Sequence, residues 1–581
     1  VNVWPYRVAL LWLAALSAAV ALTVCSHFGS SLVDSPLAVA TALAAVLATA
    51  VGLAAAFLPG ARLQRVVAGL CSRWQEVAET PLPNQVRGSV WLFAAAAVTF
   101  VLVTARYDQL NTTPARDDQA AFLRLAEQTA RAGGPLALPG QLWRGEFVEA
   151  NRHPLYVALL SLAPTFEAGK RLSLLVGAAG AVLLTWLVDR QFGRPAAAVF
   201  AVLLATNAAF CRLTTRVVCD GLLLVLAGLA WWAAERCGGP NSDAASSGVE
   251  PPADRNGRRR REASTKWLRA SSARSARLRW PWLVLGAALG LCYLTKGTGL
   301  LLLLGTLLWG LGELLVRPRQ LLQVARGRRR SEGPEVGTAG AGDEAGGAGR
   351  DVRAGAAAGA SRGSLALGLG LLLAAWLVVA CPLLVRNVRV YGSPFYNVNA
   401  QLLFEDRFRS PARLAARRSL QQAARQYFQR HSVGEVVWRE VSGLAWEAFI
   451  VLRSLGPAPW DDARVLPGLL LFVLACVGLF SSARPGRRLV LLWLTLVWLV
   501  FAWYVPIAAG DRFVLPLVPA LTAYAAVGLL RTTRWWAERP WNGRESDKAG
   551  TEGWKRRLSR AVLGVGLAWC AVAAVGTWLV G

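Results

Sequence analysis

Apolar runs close to twenty residues long recur from one end of the chain to the other, separated by charged or glycine-rich stretches. Twenty residues of helix rise about 30 Å, the thickness of the hydrocarbon layer of a bilayer. Spans are predicted at 8–25, 36–58, 90–105, 172–188, 195–211, 219–236, 281–294, 297–316, 363–385, 465–482, 488–508, 513–530 and 561–580. In hydrocarbon only a helix satisfies its own backbone polar groups without closing a sheet, and no run of about ten residues alternates as a barrel strand would. The expected fold class is therefore an all-α polytopic membrane protein with about thirteen transmembrane helices.

The polar interruptions are of three kinds. Residues 237–280 and 317–362 are rich in Gly, Ala, Ser and Arg and have no apolar period, so they are expected to be disordered inserts. In 386–464, by contrast, Phe404, Leu414, Leu420, Tyr427, Phe428, Val436, Val437 and Trp438 punctuate charged sequence at roughly helical spacing. Short amphipathic helices lying over one face of the bundle are expected there. The third kind is 106–151, the first long polar stretch after three apolar runs. With the two residues that follow it, it gathers Asp117, Asp118, Glu127, Glu146, Glu149, Arg152 and His153, one of only three histidines. A short apolar piece follows at 153–167.

Charge sets the topology. The net charge is +28, and its basic residues cluster between spans, as in Arg258 to Arg261, Arg328 to Arg330 and Lys555 to Arg557. That is the pattern of cytoplasmic loops rather than of nucleic-acid binding, for which no aromatic or helix-turn-helix context exists. The basic loops fall on one side only if 153–167 does not cross, which makes it an interfacial or re-entrant helix. The amino terminus is then cytoplasmic, and 106–151 and 386–464 are extracytoplasmic. The expected location is a bacterial inner membrane. The chain divides into an amino-terminal two-span extension (1–89), a core (90–530) and a basic segment with the last span (531–581). Nine cysteines are scattered singly, without metal-ligand spacing or a disulfide framework. No cleavable signal is expected, because the first apolar run lacks a small-residue cleavage site and further spans follow. Methionine is absent, for which there is no functional account.

Candidate chemistry begins at Asp117 and Asp118. Adjacent carboxylates raise one another's pKa, and one so poised can serve as a general base or, with its neighbour, bind a divalent cation. An acidic residue after Pro114 also suits a helix start, but one Asp is enough for that and two leave one to explain. His153 and Tyr156 open the interfacial segment, where His153 can ligate a metal or bond a phosphate; Glu146 is near in sequence and reads equally well as solvated. Arg216 and Asp220, four residues apart, can pair if one helix includes both. Lys296 sits at the break between two spans, Arg386 and Asn387 end another, and Asp511 and Arg512 occupy a turn between two more. Each taken singly can be a snorkelling anchor. Together Arg216, Lys296, Arg386 and Arg512 fall at one predicted level, which suggests a site for a phosphate.

Four segments carry a family likeness. Asp118-Gln-Ala-Ala-Phe-Leu-Arg-Leu-Ala126 with Arg152-His-Pro-Leu-Tyr156, Leu294-Thr-Lys-Gly-Thr-Gly299, Arg386-Asn387 with Tyr391-Gly-Ser-Pro-Phe395, and Arg512-Phe-Val-Leu-Pro-Leu-Val-Pro519 occur in that order. Over roughly 90–530 this resembles GT-C-type membrane glycosyltransferases, the group that includes protein O-mannosyltransferases and the lipid A aminoarabinose transferase. The resemblance implies a sugar donor linked to a polyprenyl phosphate, a protein, lipid or glycan acceptor and Asp118 as the catalytic carboxylate, with Asp117 as its alternative. The reading that follows has Lys296, Arg386, Arg216 and Arg512 holding the donor phosphate and the transfer inverting the anomeric centre. The family's Glu after Asp is Gln119 here, and a second Pro is missing after Pro154; both departures bear on a divalent metal and on the acceptor pocket. The alternatives are a transporter or flippase of lipid-linked sugars and an inactive scaffold of the same fold.

Overall fold

The computed structural model describes residues 60–83, 86, 88–114, 117–237, 279–331, 345–408, 419–459, 464–482, 484, 486–538 and 550–580, with a few positions between 46 and 57. The predicted span 8–25 and most of the span 36–58 and of the insert 237–280 lie outside these residues. Among the described residues the elements are helices, and the one pairing of extended backbone is the bridge between Asn207 and Pro457.

Among the described residues six helices are long and apolar enough to cross a membrane: Ser89–Leu110, Phe166–Phe192, Gly363–Tyr391, Gly486–Tyr504, Asp511–Glu538 and Arg556–Leu579. Shorter apolar helices run over Arg194–Ala205, Gly299–Leu315 and Val465–Phe480. The chain is an integral membrane protein. Its centre is Asp511–Glu538, whose most apolar stretch is 89% buried, against 28% for Arg556–Leu579. The sequence explains the difference. Ala520, Ala523, Ala525, Ala526 and Gly528 let neighbouring backbones approach the central helix closely, whereas Val565, Val572 and Val575 on the peripheral one face outward toward lipid. Gly528 and Gly478 are reciprocal: a Cβ on either would overlap a backbone carbonyl of the other helix, that of Leu474 or Tyr524.

The predicted span 195–211 is not one helix. Arg194–Ala205 is followed by a break and then by Ala208–Thr214. The Asn207 side chain caps the second piece at Phe210 N (2.9 Å) and donates to Ser454 O (2.8 Å), while Ala458 N bonds Thr206 O (2.7 Å) and Ala208 N bonds Gly456 O (3.3 Å). The backbone groups freed by the break are thus met by the extended segment after Ser454. The helices Gly299–Ser331 and Ala345–Tyr391 run on into the insert 317–362, which was expected to be irregular. Extending an existing helix needs no new nucleus, and Leu, Gln, Arg and Ala sustain it.

Residues 153–167 do not cross. Pro154–Leu160 rises only about 10 Å before the chain turns into Phe166–Phe192. In 386–464 the helices Leu420–Arg430 and Val433–Leu455 each begin with a capping box, Ser419 with Gln422 and Ser432 with Glu435. The second packs side by side with Gly486–Tyr504 and Val465–Phe480. Its Arg439 reaches Trp503 O, its Leu444 O accepts from Trp498, and its Leu452 O abuts Gly468.

Candidate active site

The two adjacent aspartates divide the work. Asp117 is the N-cap of Asp118–Arg131, accepting from Gln119 N (2.9 Å), and its other oxygen pairs with Arg216. Asp118 has no capping duty. Its Oδ1 accepts from Arg152 (2.8 Å) and its Oδ2 from Arg512 (2.6 Å), 394 residues further along the chain. Burial opposes ionisation of Asp118, but the two guanidiniums outweigh it and hold the carboxyl below its ordinary value. Gln119 fixes the loop. Its carbonyl oxygen accepts from Val217 N (2.9 Å) and Asn111 Nδ2 (3.1 Å), and Asn111 in turn donates to Thr215 O (2.9 Å).

Beside this pair, Asp220 begins the helix Asp220–Cys237 and is almost wholly buried. Lys296 Nζ donates to it at 2.6 Å, and Arg512 Nη2 stands 3.6 Å from its other oxygen. Arg512 therefore bridges Asp118 and Asp220. The expected pairing of Arg216 with Asp220 does not form: the helix starts at Asp220, so Arg216 lies outside it and turns to Asp117 instead. The position of Arg512 follows from sequence. Gly510 (φ +149°) allows the turn, and Pro516 interrupts the first helical turns with a 3₁₀ segment over Leu515–Leu517.

Asp511, the preceding residue, faces the other way. It accepts from Arg464 (2.6 Å), Arg212 (2.9 Å), Arg453 (3.2 Å) and Ser454 Oγ (3.2 Å). The two clusters border one cavity of about 270 Å³, lined by Asp117, Asp118, Arg212, Arg216, Asp220, Arg453, Asp511 and Arg512 together with Leu213, Val218, Ala509 and Gly510.

No family model matches the chain, and no curated protein matches it. Two solved structures are similar to it. One is the crystal structure of ArnT from Cupriavidus metallidurans bound to undecaprenyl phosphate, at 15% identity, 84% of this chain, 76% of that one and a TM-score of 0.43. The other is the archaeal oligosaccharyltransferase AglB from Archaeoglobus fulgidus in complex with an inhibitory peptide and a dolichol-phosphate, at 14% identity, 83% of this chain, 56% of that one and a TM-score of 0.38. What the site can do rests on its own residues.

Other expected residues lie apart from the cavity. Arg386 is buried and donates to the carbonyls of Phe147 (3.3 Å) and Glu149, clamping the loop before His153. Asn387 donates to Pro394 O (2.9 Å). His153 packs edge-on against Tyr293, and burial, aided by Arg386 and Lys296, holds its imidazole down at about 4. Tyr156 shares a hydrogen bond with Ser173 Oγ (2.6 Å) in the core. Glu146 is at the surface with Arg144 (2.7 Å). A divalent metal does not fit this arrangement: Asp117, Asp118 and Asp220 are each met by cations, and among the described residues no three of His, Cys, Asp and Glu converge as a ligand set. Arg152, Arg212, Arg453 and Arg464 were not foreseen as site residues. Arg152 stands in the charged loop and in the segment that opens with it, whereas Arg212 lies on Ala208–Thr214 and no spacing singles it out.

Proposed function

We propose that the protein is a glycosyltransferase that moves a sugar from a polyprenyl-phosphate donor to a hydroxyl or amine acceptor at the cavity, on the extracytoplasmic face. The observation that carries this reading is convergence: three of the four sequence segments that resemble GT-C transferases supply Asp118 with Arg152, Lys296 and Arg512, which meet at one end of the bundle. Arg386, from the remaining segment, braces the adjoining loop.

Lys296 and Arg512 take the donor phosphate by charge-assisted hydrogen bonds. Engagement of Arg512 loosens its hold on Asp118, whose basicity rises when donor is present. Asp118 then accepts the acceptor's proton as the acceptor atom bonds to the anomeric carbon. The bond from that carbon to the phosphate oxygen breaks, its electron pair leaves on the phosphate, and the anomeric configuration inverts. Fixed positive charge at the leaving phosphate supplies most of the rate. The test is incubation of the purified protein with a panel of polyprenyl-phosphate sugars and acceptors, with products read by mass spectrometry. Asp118→Asn should lower transfer per folded molecule by about 10²–10⁴-fold, a loss far beyond what the weaker thermal stability from its lost ion pairs would cause. Full activity in that variant, or no transfer from any donor, would sink the reading.

A further inference from the structure

The charged groups around the cavity fall on two walls, and one of these carries more guanidinium than carboxylate. Beside Asp118 and Asp220 stand Arg152, Lys296 and Arg512, and these serve the reading above. On the other wall one carboxylate, Asp511, with no exposed side-chain surface, faces three guanidiniums. Arg464 is itself buried. Arg212, however, keeps 40% of its side chain exposed and Arg453 keeps 21%, and both line the cavity. A guanidinium carries five N–H donors, and the contact of Arg212 with Asp511 runs through Nη2 alone, so the remaining fork is aimed at whatever enters. The charge of this wall is protected from behind. Glu447, fully buried on the helix that also carries Arg453, has no hydrogen-bond partner on either carboxyl oxygen. Ionised, it would cancel much of the excess; burial and the neighbouring Asp511 push its carboxyl up to about 8, so it stays neutral at neutral pH.

We infer that Arg212 and Arg453 form a second anion subsite in this cavity, for a phosphate-class group separate from the one held by Lys296 and Arg512. The inference deepens the proposed function and rests on it for the first of the two sites. The second group belongs either to a phosphorylated acceptor or to a diphosphate donor, and the chemistry of recognition is shared.

The full chain in lipid nanodiscs is titrated calorimetrically with three probes: undecaprenyl phosphate, inorganic phosphate and undecaprenyl diphosphate. For an acceptor subsite, inorganic phosphate binds protein already saturated with undecaprenyl phosphate, and Arg212→Gln weakens that binding at least tenfold while changing lipid-phosphate affinity less than twofold. For a diphosphate subsite, undecaprenyl diphosphate binds at least tenfold tighter than the monophosphate, blocks inorganic phosphate, and loses its advantage in Arg212→Gln. Arg453→Lys keeps the charge beside Asp511 but not the fork, and should weaken the same binding several-fold. The inference is overturned if inorganic phosphate fails to bind the saturated protein and the diphosphate holds no advantage, or if Arg212→Gln leaves both unchanged. Should undecaprenyl phosphate itself not bind while inorganic phosphate binds through Arg212, the functional reading falls and the subsite stands.

Discussion

At the end of the bundle away from the cavity, Arg484 donates to Gln191 O, Arg531 to Ala78 O (2.9 Å) and Ser481 O, Arg487 to Ser482 O (2.7 Å) and Arg534 to Pro81 O (2.9 Å). These carbonyls belong to the last turns of helices or to the residues just beyond them, where no N–H of the helix remains to meet them. Around the cavity five arginines turn to carboxylates, Arg152 and Arg512 to Asp118, Arg216 to Asp117, and Arg212 and Arg453 to Asp511, while Arg386 beside them still holds carbonyls and Arg534 at the far end also meets Glu538. An arginine spent on a helix terminus has no better partner to gain. On the proposed reading, a partly exposed arginine paired with a carboxylate beside the cavity is taken over by an incoming phosphate, and the carboxylate it leaves becomes more basic. The first arrangement stabilises the fold; the second can be exchanged.

The sharpest way to break that contrast is Arg512→Ala. It removes the bridge between Asp118 and Asp220 and should lower transfer by about 10²–10³-fold at saturating acceptor. A loss below fivefold in steady-state assays would place Arg512 with the structural arginines. The reciprocal change is Arg531→Ala, which should lower stability by about 1–3 kcal/mol, seen as an earlier thermal transition in detergent, with transfer per folded molecule within twofold of wild type. A selective loss of transfer there would erase the distinction between the two ends. The smallest effect concerns pH. Because the carboxyl of Asp118 is held below its ordinary value, its pairing contributes stability above the unfolded-state pKa and loses it only as pH falls through the lower folded-state value. The gap in melting temperature between the donor-free protein and Asp118→Asn should therefore stay nearly constant from neutral pH into the ordinary carboxylate range. In Asp118→Asn the further drop below that range should be shallower, and equal curves for both proteins would remove the pairing from the account.

Lys296 and Arg512 are legible in the chain because each interrupts or borders an apolar run, where the cost of burying charge makes an ionisable group conspicuous, and Asp118 because it doubles an acid where one is enough to start a helix. Arg453 and Arg464 are not, since they sit in a segment already rich in arginine, where one guanidinium reads like the next. The interruption at Asn207 is hidden for another reason. The surrounding residues are as apolar as any span, and the partner that completes the break, Ser454 O, lies 247 positions away. Likewise Asp117 and Asp118 announce a helix start, but which of them caps and which is spared depends on where Arg216 and Arg512 arrive. Composition and period recover the helices; the pairing of charges across hundreds of residues is a property of the packed bundle alone.

Asp511 and Arg512 are successive residues at the head of the most enclosed helix, so the carboxylate of one wall and the cation of the other hang from Cα atoms about 3.8 Å apart. Neither can slide without carrying its neighbour. The backbone at this point acts as a tether: a ligand that pulls on Arg512 also pulls on Asp511, and through it on the arginines that Asp511 holds.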